Sequence, residues 1–152
     1  MVLVTVLVVT GLMPLPGADP MEAYGAHWAD SYLNELASMN IMRGDSKGNM
    51  NPDRDITRAE FAAMINRAFG FTDKSGKSFS DVPKTAWYAD DMQAAAYQGY
   101  LQGTSGGKGN PEGKLTREEA VTMLCRALKI DEEAVDTMQF ADSRTFSSWS
   151  KG

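Results

Sequence analysis

The chain is written twice. With an offset of 59 positions and no gap, Trp28 aligns with Trp87, Gly44 with Gly103, Gly48 with Gly107, and Asn51-Pro52 with Asn110-Pro111. The match continues through Thr57-Arg58 and Thr116-Arg117, Glu60 and Glu119, Met64 and Met123, and Arg67-Ala68 and Arg126-Ala127. An internal repeat of this length constrains the fold more than any composition does. Each copy is one supersecondary unit that buries little by itself and needs a neighbour to cover its apolar face.

Each unit reads helix, loop, helix. In the first, residues 28–42 carry apolar residues at helical spacing, with Trp28, Tyr32, Leu33, Leu36, Met39 and Met42 expected to face inward and Gly44 expected to cap the helix. Residues 45–55, rich in Asp, Asn, Gly and Pro, read as a loop. A second helix is expected from Thr57 to about Phe69, with Phe61, Met64, Ile65, Ala68 and Phe69 on one stripe and Gly70 ending it. The second unit repeats the plan: Trp87 to about Tyr97, a glycine-rich loop containing Gly103, and a helix from Thr116 to the region of Lys129-Ile130.

The second helix of each unit opens on the same words, Ile56-Thr57-Arg58-Ala59-Glu60 and Leu115-Thr116-Arg117-Glu118-Glu119. Thr-x-x-Glu is a capping box, in which the Thr oxygen accepts from the amide three residues on and the Glu reaches back to the Thr amide. Arg58 and Arg117 are not explained by capping. They fall in the first turn, where the helix dipole disfavours a cation by roughly 0.3–1 kcal/mol. Free amides beside a guanidinium suit a carboxylate or phosphate, so the recurrence of the arginine points to a repeated anion site.

Residues 1–20 are a different kind of sequence. An apolar, β-branched run over residues 2–13 is too short to span a membrane, which takes roughly 20 residues. It is expected to be an export signal, complete or truncated, although no Lys or Arg precedes it and no clean small-x-small cleavage site follows; the alternative is a buried strand. The rest of the 152-residue chain divides into repeat one (21–71), repeat two with its linker (72–130), and a linker with the start of a third unit (131–152). That third start is Phe140-Ala141-Asp142, echoing Phe79-Ser80-Asp81, with Trp149 near the position of the earlier tryptophans.

A net charge of −5 argues against nucleic acid as a partner. The single Cys125, aligned with Asn66, permits no internal disulfide, and no Cys/His metal cluster is spelled out. His27 is the only histidine, and nothing in its surroundings marks it for catalysis. The loop from Asp45 to Asn51 imitates a calcium loop. However, the third, sixth and twelfth positions hold Lys47, Met50 and Ile56, and in the second copy Gly106, Gly109 and Leu115 follow Thr104, so metal binding is not expected. Acid pairs such as Asp90-Asp91 and Glu118-Glu119 read as solvated helix faces, so no enzyme is expected.

A Phe-x-Asp opening, a Trp-led helix, a glycine loop with a late proline, and Ile/Leu-Thr-Arg-x-Glu opening the second helix together resemble the S-layer homology (SLH) module. The resemblance covers about residues 27–149. It implies an all-α fold of tandem helix-loop-helix units, here an incomplete three-unit pseudo-trimer, with grooves between units. It also implies that the grooves bind acidic secondary cell wall polymers, often carrying a pyruvate ketal, and so hold exported proteins on the bacterial envelope. The role of ligand arginine would fall to Arg58 and Arg117. The groove would be shaped by Asp81, Asp142, Trp28 and Trp87, and Gly44 and Gly103 would let backbone approach the ligand. Read from the residues alone, the two tryptophans also suit core packing, Asp81 and Asp142 suit helix or turn capping, and Gly44 and Gly103 suit helix C-caps. The first unit lacks Phe-x-Asp, having Pro20-Met21-Glu22 there, and the third lacks its second helix. The uncovered faces this leaves lead to an expectation of marginal stability or self-association. Rival readings are a helical repeat that binds another protein and the anchoring fragment of a larger surface hydrolase.

Overall fold

The structure, a computed structural model, describes residues 27–74, 76–104 and 106–130. The expected export signal (1–20), the expected third-unit start (131–152) and with it Asp142 lie outside the described residues. Four helices follow in order: α1 (Asp30–Ser38), α2 (Arg58–Phe69), α3 (Ala89–Gln98) and α4 (Arg117–Ala127). Among the described residues there is no strand, only two isolated antiparallel bridges, so the fold is all-α.

The starts of α2 and α4 follow from sequence. Thr57 and Thr116 are N-caps in extended conformation, each accepting from the Glu three residues on, and both capping boxes are closed. Gly70 and Gly99 end α2 and α3 in the left-handed conformation. α1 is shorter than the expected 28–42. Asn40 turns to φ 58°, and Met39 rather than Gly44 is its C-cap. Likewise Gly99, not Gly103, caps α3.

The packing unit is not the sequence repeat. α2 packs chiefly against α3, across the repeat boundary, and touches α4. α2 brings Ala59, Ala62 and Ile65 to the core, α3 brings Met92, Ala95 and Ala96, and α4 brings Met123 and Ala127. The alanines leave room for the largest fully buried side chains, Tyr100, Met92 and Leu101. A polar network runs through this seam. The Tyr100 hydroxyl lies 2.7 Å from Asn66 Oδ1 and 3.1 Å from the Ala62 carbonyl, and Asn66 Nδ2 donates to the carbonyl and the side chain of Asp91. Burial pushes the Tyr100 phenol well above its usual range, so it remains a neutral donor.

α1 contributes no fully buried residue. Leu33, Leu36 and Ala37 are half-buried, whereas Trp28, Tyr32 and Met39, all expected inward, are exposed. The apolar arc of α1 is wider than the strip that its neighbours cover. α4 shows the same thing more sharply. Ala62 (0% exposed) and Ile65 (3%) of α2 lie beneath α3, but their counterparts Val121 and Leu124 of α4 are 54% and 37% exposed. Among the described residues no helix does for α4 what α3 does for α2.

The two loops share one backbone plan with different side chains. The amide of Asp45 donates to the Asn49 carbonyl at 2.9 Å, and that of Thr104 to the Lys108 carbonyl at 2.7 Å. Asn51 and Asn110 both turn left-handed. Asp45 further accepts from the amides of Asn49 and Lys47 and from the side chain of Asn51; these bonds, the Asn49 amide foremost, hold its carboxyl at about 2. The loop that imitates a calcium site is therefore closed on itself by its first aspartate.

Candidate functional site: the groove at the repeat boundary

The segments leading into α2 and α4 pair with each other. Leu115 donates to the Ile56 carbonyl at 2.9 Å, and Thr57 and Lys114 form an antiparallel bridge. The first two amides of α2, from Arg58 and Ala59, donate to the carbonyls of Gly113 and Pro111, each at 3.0 Å. The amides expected to be free for an anion are therefore taken at α2, because carbonyls from the other repeat reach them. Neither carbonyl is close in sequence, so no local rule could assign the contact. At α4 the Arg117 amide has no such partner among the described residues.

The guanidinium of Arg58 enters the same boundary and is only 8% exposed. Its Nε donates to the Gly109 carbonyl at 3.2 Å, and its Nη1 donates to Glu119 Oε1 at 2.5 Å. The first repeat's motif arginine thus meets the second repeat's capping glutamate. The corresponding glutamate of the first repeat, Glu60, is met instead by Arg54 of its own loop, also at 2.5 Å.

Arg58 and Glu119 line a groove of about 380 Å³, together with Gly103, Thr104, Thr122 and Arg126. That volume lies within the range of small-ligand clefts. Glu119, Thr122 and Arg126 share one stripe of α4 by their spacing of three and four. Arg126 was not singled out from sequence. Its recurrence as Arg67 in the repeat alignment was the available signal, along with its place on the stripe that starts at Glu119.

Gly103 stands at the groove with φ 79°, and a β-carbon there would fall 2.8 Å from the Lys108 carbonyl and 2.8 Å from the Phe79 ring. Gly44 has no left-handed φ, but a β-carbon on it would meet the Gly48 carbonyl oxygen at 2.6 Å and that of Asn49 at 2.9 Å. Both glycines are required because their own loops close on them. This replaces the expected C-cap role.

Asp81 accepts from the amides of Gly109 at 2.7 Å and Asn110 at 2.8 Å. Partial burial raises its pKa, but the amides of Gly109 and Asn110 outweigh that and hold the carboxyl below its usual range. Asp81 therefore acts as a turn clasp on the loop whose Gly109 carbonyl receives Arg58. Its link to the groove runs through backbone.

The remaining candidates are not brought to the groove. Trp28 and Trp87 are each 63% exposed, so the core-packing reading of both is corrected. Trp87 meets Tyr88 edge-on at 5.3 Å, and Trp28 lies 5.5 Å from the His27 ring. Both indoles are left with open faces at equivalent places in the two units. Arg117 is exposed on α4, outside the groove.

A family model described as the S-layer homology domain matches residues 22–62 and 78–121, more than half of the chain. The chain belongs to the S-layer homology domain family. Curated relatives agree with this. A surface-layer 125 kDa protein of Lysinibacillus sphaericus is 31% identical over 147 residues, covering 95% of this chain and 12% of that protein. An amylopullulanase of Thermoanaerobacterium thermosulfurigenes is 33% identical over 130 residues, 82% of this chain and 7% of the enzyme. An exoglucanase of Acetivibrio thermocellus is 32% identical over 130 residues, 82% of this chain and 12% of the enzyme. The chain therefore spans about a tenth of the length of these relatives. SLH membership places it among proteins of the cell surface. None of its described helices is long and apolar enough to cross a membrane.

Proposed function

We propose that this chain is a non-catalytic anchor that holds an exported protein non-covalently on the bacterial cell wall, by binding an acidic secondary cell wall polymer such as a pyruvylated one. The observation that carries the reading is the groove at the repeat boundary, where Arg58 and Arg126 lie with Gly103 and Thr104. Arginine can pair with a carboxylate in a two-bond fork, which suits a pyruvate ketal on a sugar. The exposed faces of Trp28 and Trp87 suit the apolar face of a pyranose ring. Arg117 would serve an equivalent groove formed with a further unit. The cargo, by analogy with the relatives, is a surface-layer protein or a surface hydrolase of which this chain is a small part.

The test is co-sedimentation with purified wall sacculi. The native chain is expected to pellet with intact walls and to stay in solution with walls stripped of their secondary polymer. The Arg58→Ala/Arg117→Ala double variant is expected to lose binding by at least roughly tenfold, as expected when charge-assisted contacts are removed. A folded native chain that ignores intact walls would overturn the reading.

We also propose that copies of the chain associate through α4, because Val121, Leu124 and Leu128 are exposed where α2 is covered. Sedimentation equilibrium should then show mass rising with concentration, and Leu124→Glu should abolish the rise. A monomer at every concentration would refute it.

A further inference from the structure

An acidic ligand entering the groove meets an arginine that already holds a carboxylate. Glu119 divides its two oxygens between two tasks. Its Oε2 accepts from the Thr116 amide at 2.9 Å, which closes the helix cap, and its Oε1 lies on Arg58 Nη1 at 2.5 Å. Glu60 divides its oxygens in the same way, with Oε2 on the Thr57 amide at 2.8 Å and Oε1 on Arg54. The capping task needs only an acceptor oxygen, and glutamine supplies one as glutamate does. The contact to the guanidinium is where the negative charge counts.

We infer that Glu119 is a resident carboxylate of the groove, and that an acidic group of the glycan binds by replacing Glu119 Oε1 on Arg58. The inference rests on the groove being the glycan site. Both partners line the groove, so the exchange needs only a small withdrawal of one side chain that is itself a quarter exposed. The exchange also has a direction. Glu119 can spare only one oxygen for the arginine, because the cap holds the other. A ligand carboxylate with both oxygens free can present the two-bond fork that a guanidinium matches. A neutral sugar has no charge with which to displace Glu119. Glu119 thus acts as a specificity residue: it admits carboxylates and turns away uncharged glycans.

The test is Glu119→Gln in the full chain, which keeps the cap and the side-chain volume and removes the charge. The probes are native sacculi and sacculi whose carboxylates have been blocked as amides. The variant is expected to bind native walls roughly ten- to a hundredfold more tightly, the range for one charge-assisted hydrogen bond no longer displaced. Binding to the blocked walls should rise above that of the native chain, because Glu119 no longer excludes uncharged groups, yet stay far below binding to native walls; the gain on native walls should vanish in Glu119→Gln/Arg58→Lys, which lacks the fork. Unchanged binding by Glu119→Gln would make Glu119 purely structural and overturn the inference while the anchoring reading stands. Weaker binding would mean that Glu119 positions the arginine for its ligand, and would also overturn it. If neither protein binds native walls, the anchoring reading falls and takes the inference with it. Misfolding cannot imitate the expected result, because it is a gain in affinity.

Discussion

Tyr100→Ala is expected to remove most of the stability of the two-repeat unit. Emptying a fully buried aromatic site typically costs about 3–5 kcal/mol, and single domains have only about 5–15 kcal/mol in total. Here the ring is 0% exposed, and its hydroxyl ties Asn66 and the Ala62 carbonyl of α2 to the end of α3. Truncation would leave a void and also deprive buried polar atoms of their donor. Tyr100→Phe separates the two terms: it keeps the ring and should cost about 1–3 kcal/mol, the penalty for an unsatisfied buried acceptor. Urea denaturation of the three proteins checks this. If the Ala variant loses no more than the Phe variant, the seam between α2 and α3 is not what holds the repeats together.

The second large effect separates the two motif arginines, which look alike in sequence. Arg58→Ala should cost about 2–3 kcal/mol of stability, somewhat less than the 3–5 kcal/mol typical of breaking a fully buried pair, because Glu119 is partly solvated. Arg117→Ala should change stability by no more than about 0.5 kcal/mol, as exposed substitutions do. On walls the order should differ: each substitution should weaken binding by roughly tenfold, the worth of one charge-assisted contact. Arg58→Lys, which keeps a charge but not the fork, gives a folded control for the first site. Full wall binding by Arg117→Ala, measured beside its unfolding curve, would remove Arg117 from the proposed glycan site.

What was legible in the sequence was local or repeated. The two capping boxes, the left-handed end at Gly70 and the common loop plan all follow from residues within a few positions of one another, and the repeat shows the capping boxes and the loop plan twice. What was not legible was which surface meets which. A stripe at helical spacing says that a face is apolar, not what covers it. So Trp28, Tyr32 and Met39 read as inward on α1 but are exposed. The same blindness hid the occupied amides of α2, whose acceptors lie in the other repeat. Gly44 and Gly103 were read by their place after a helix, whereas the deciding contact is a loop carbonyl arriving from several residues downstream. The groove itself was half visible: the motif arginine named Arg58, and only packing added Glu119 and Arg126.

The Arg54–Glu60 pair gives the array a polarity. At the repeat boundary, an arginine from one unit closes on the capping carboxylate of the next. At the leading unit that carboxylate is already stoppered from within, by an arginine of its own loop. An incoming unit offering its motif arginine to this end would have to evict Arg54 first. At the trailing end the arginine and the apolar face of α4 stand open to solvent. The two described units are therefore not interchangeable, since one guards its own cap and the other has its cap guarded by a neighbour.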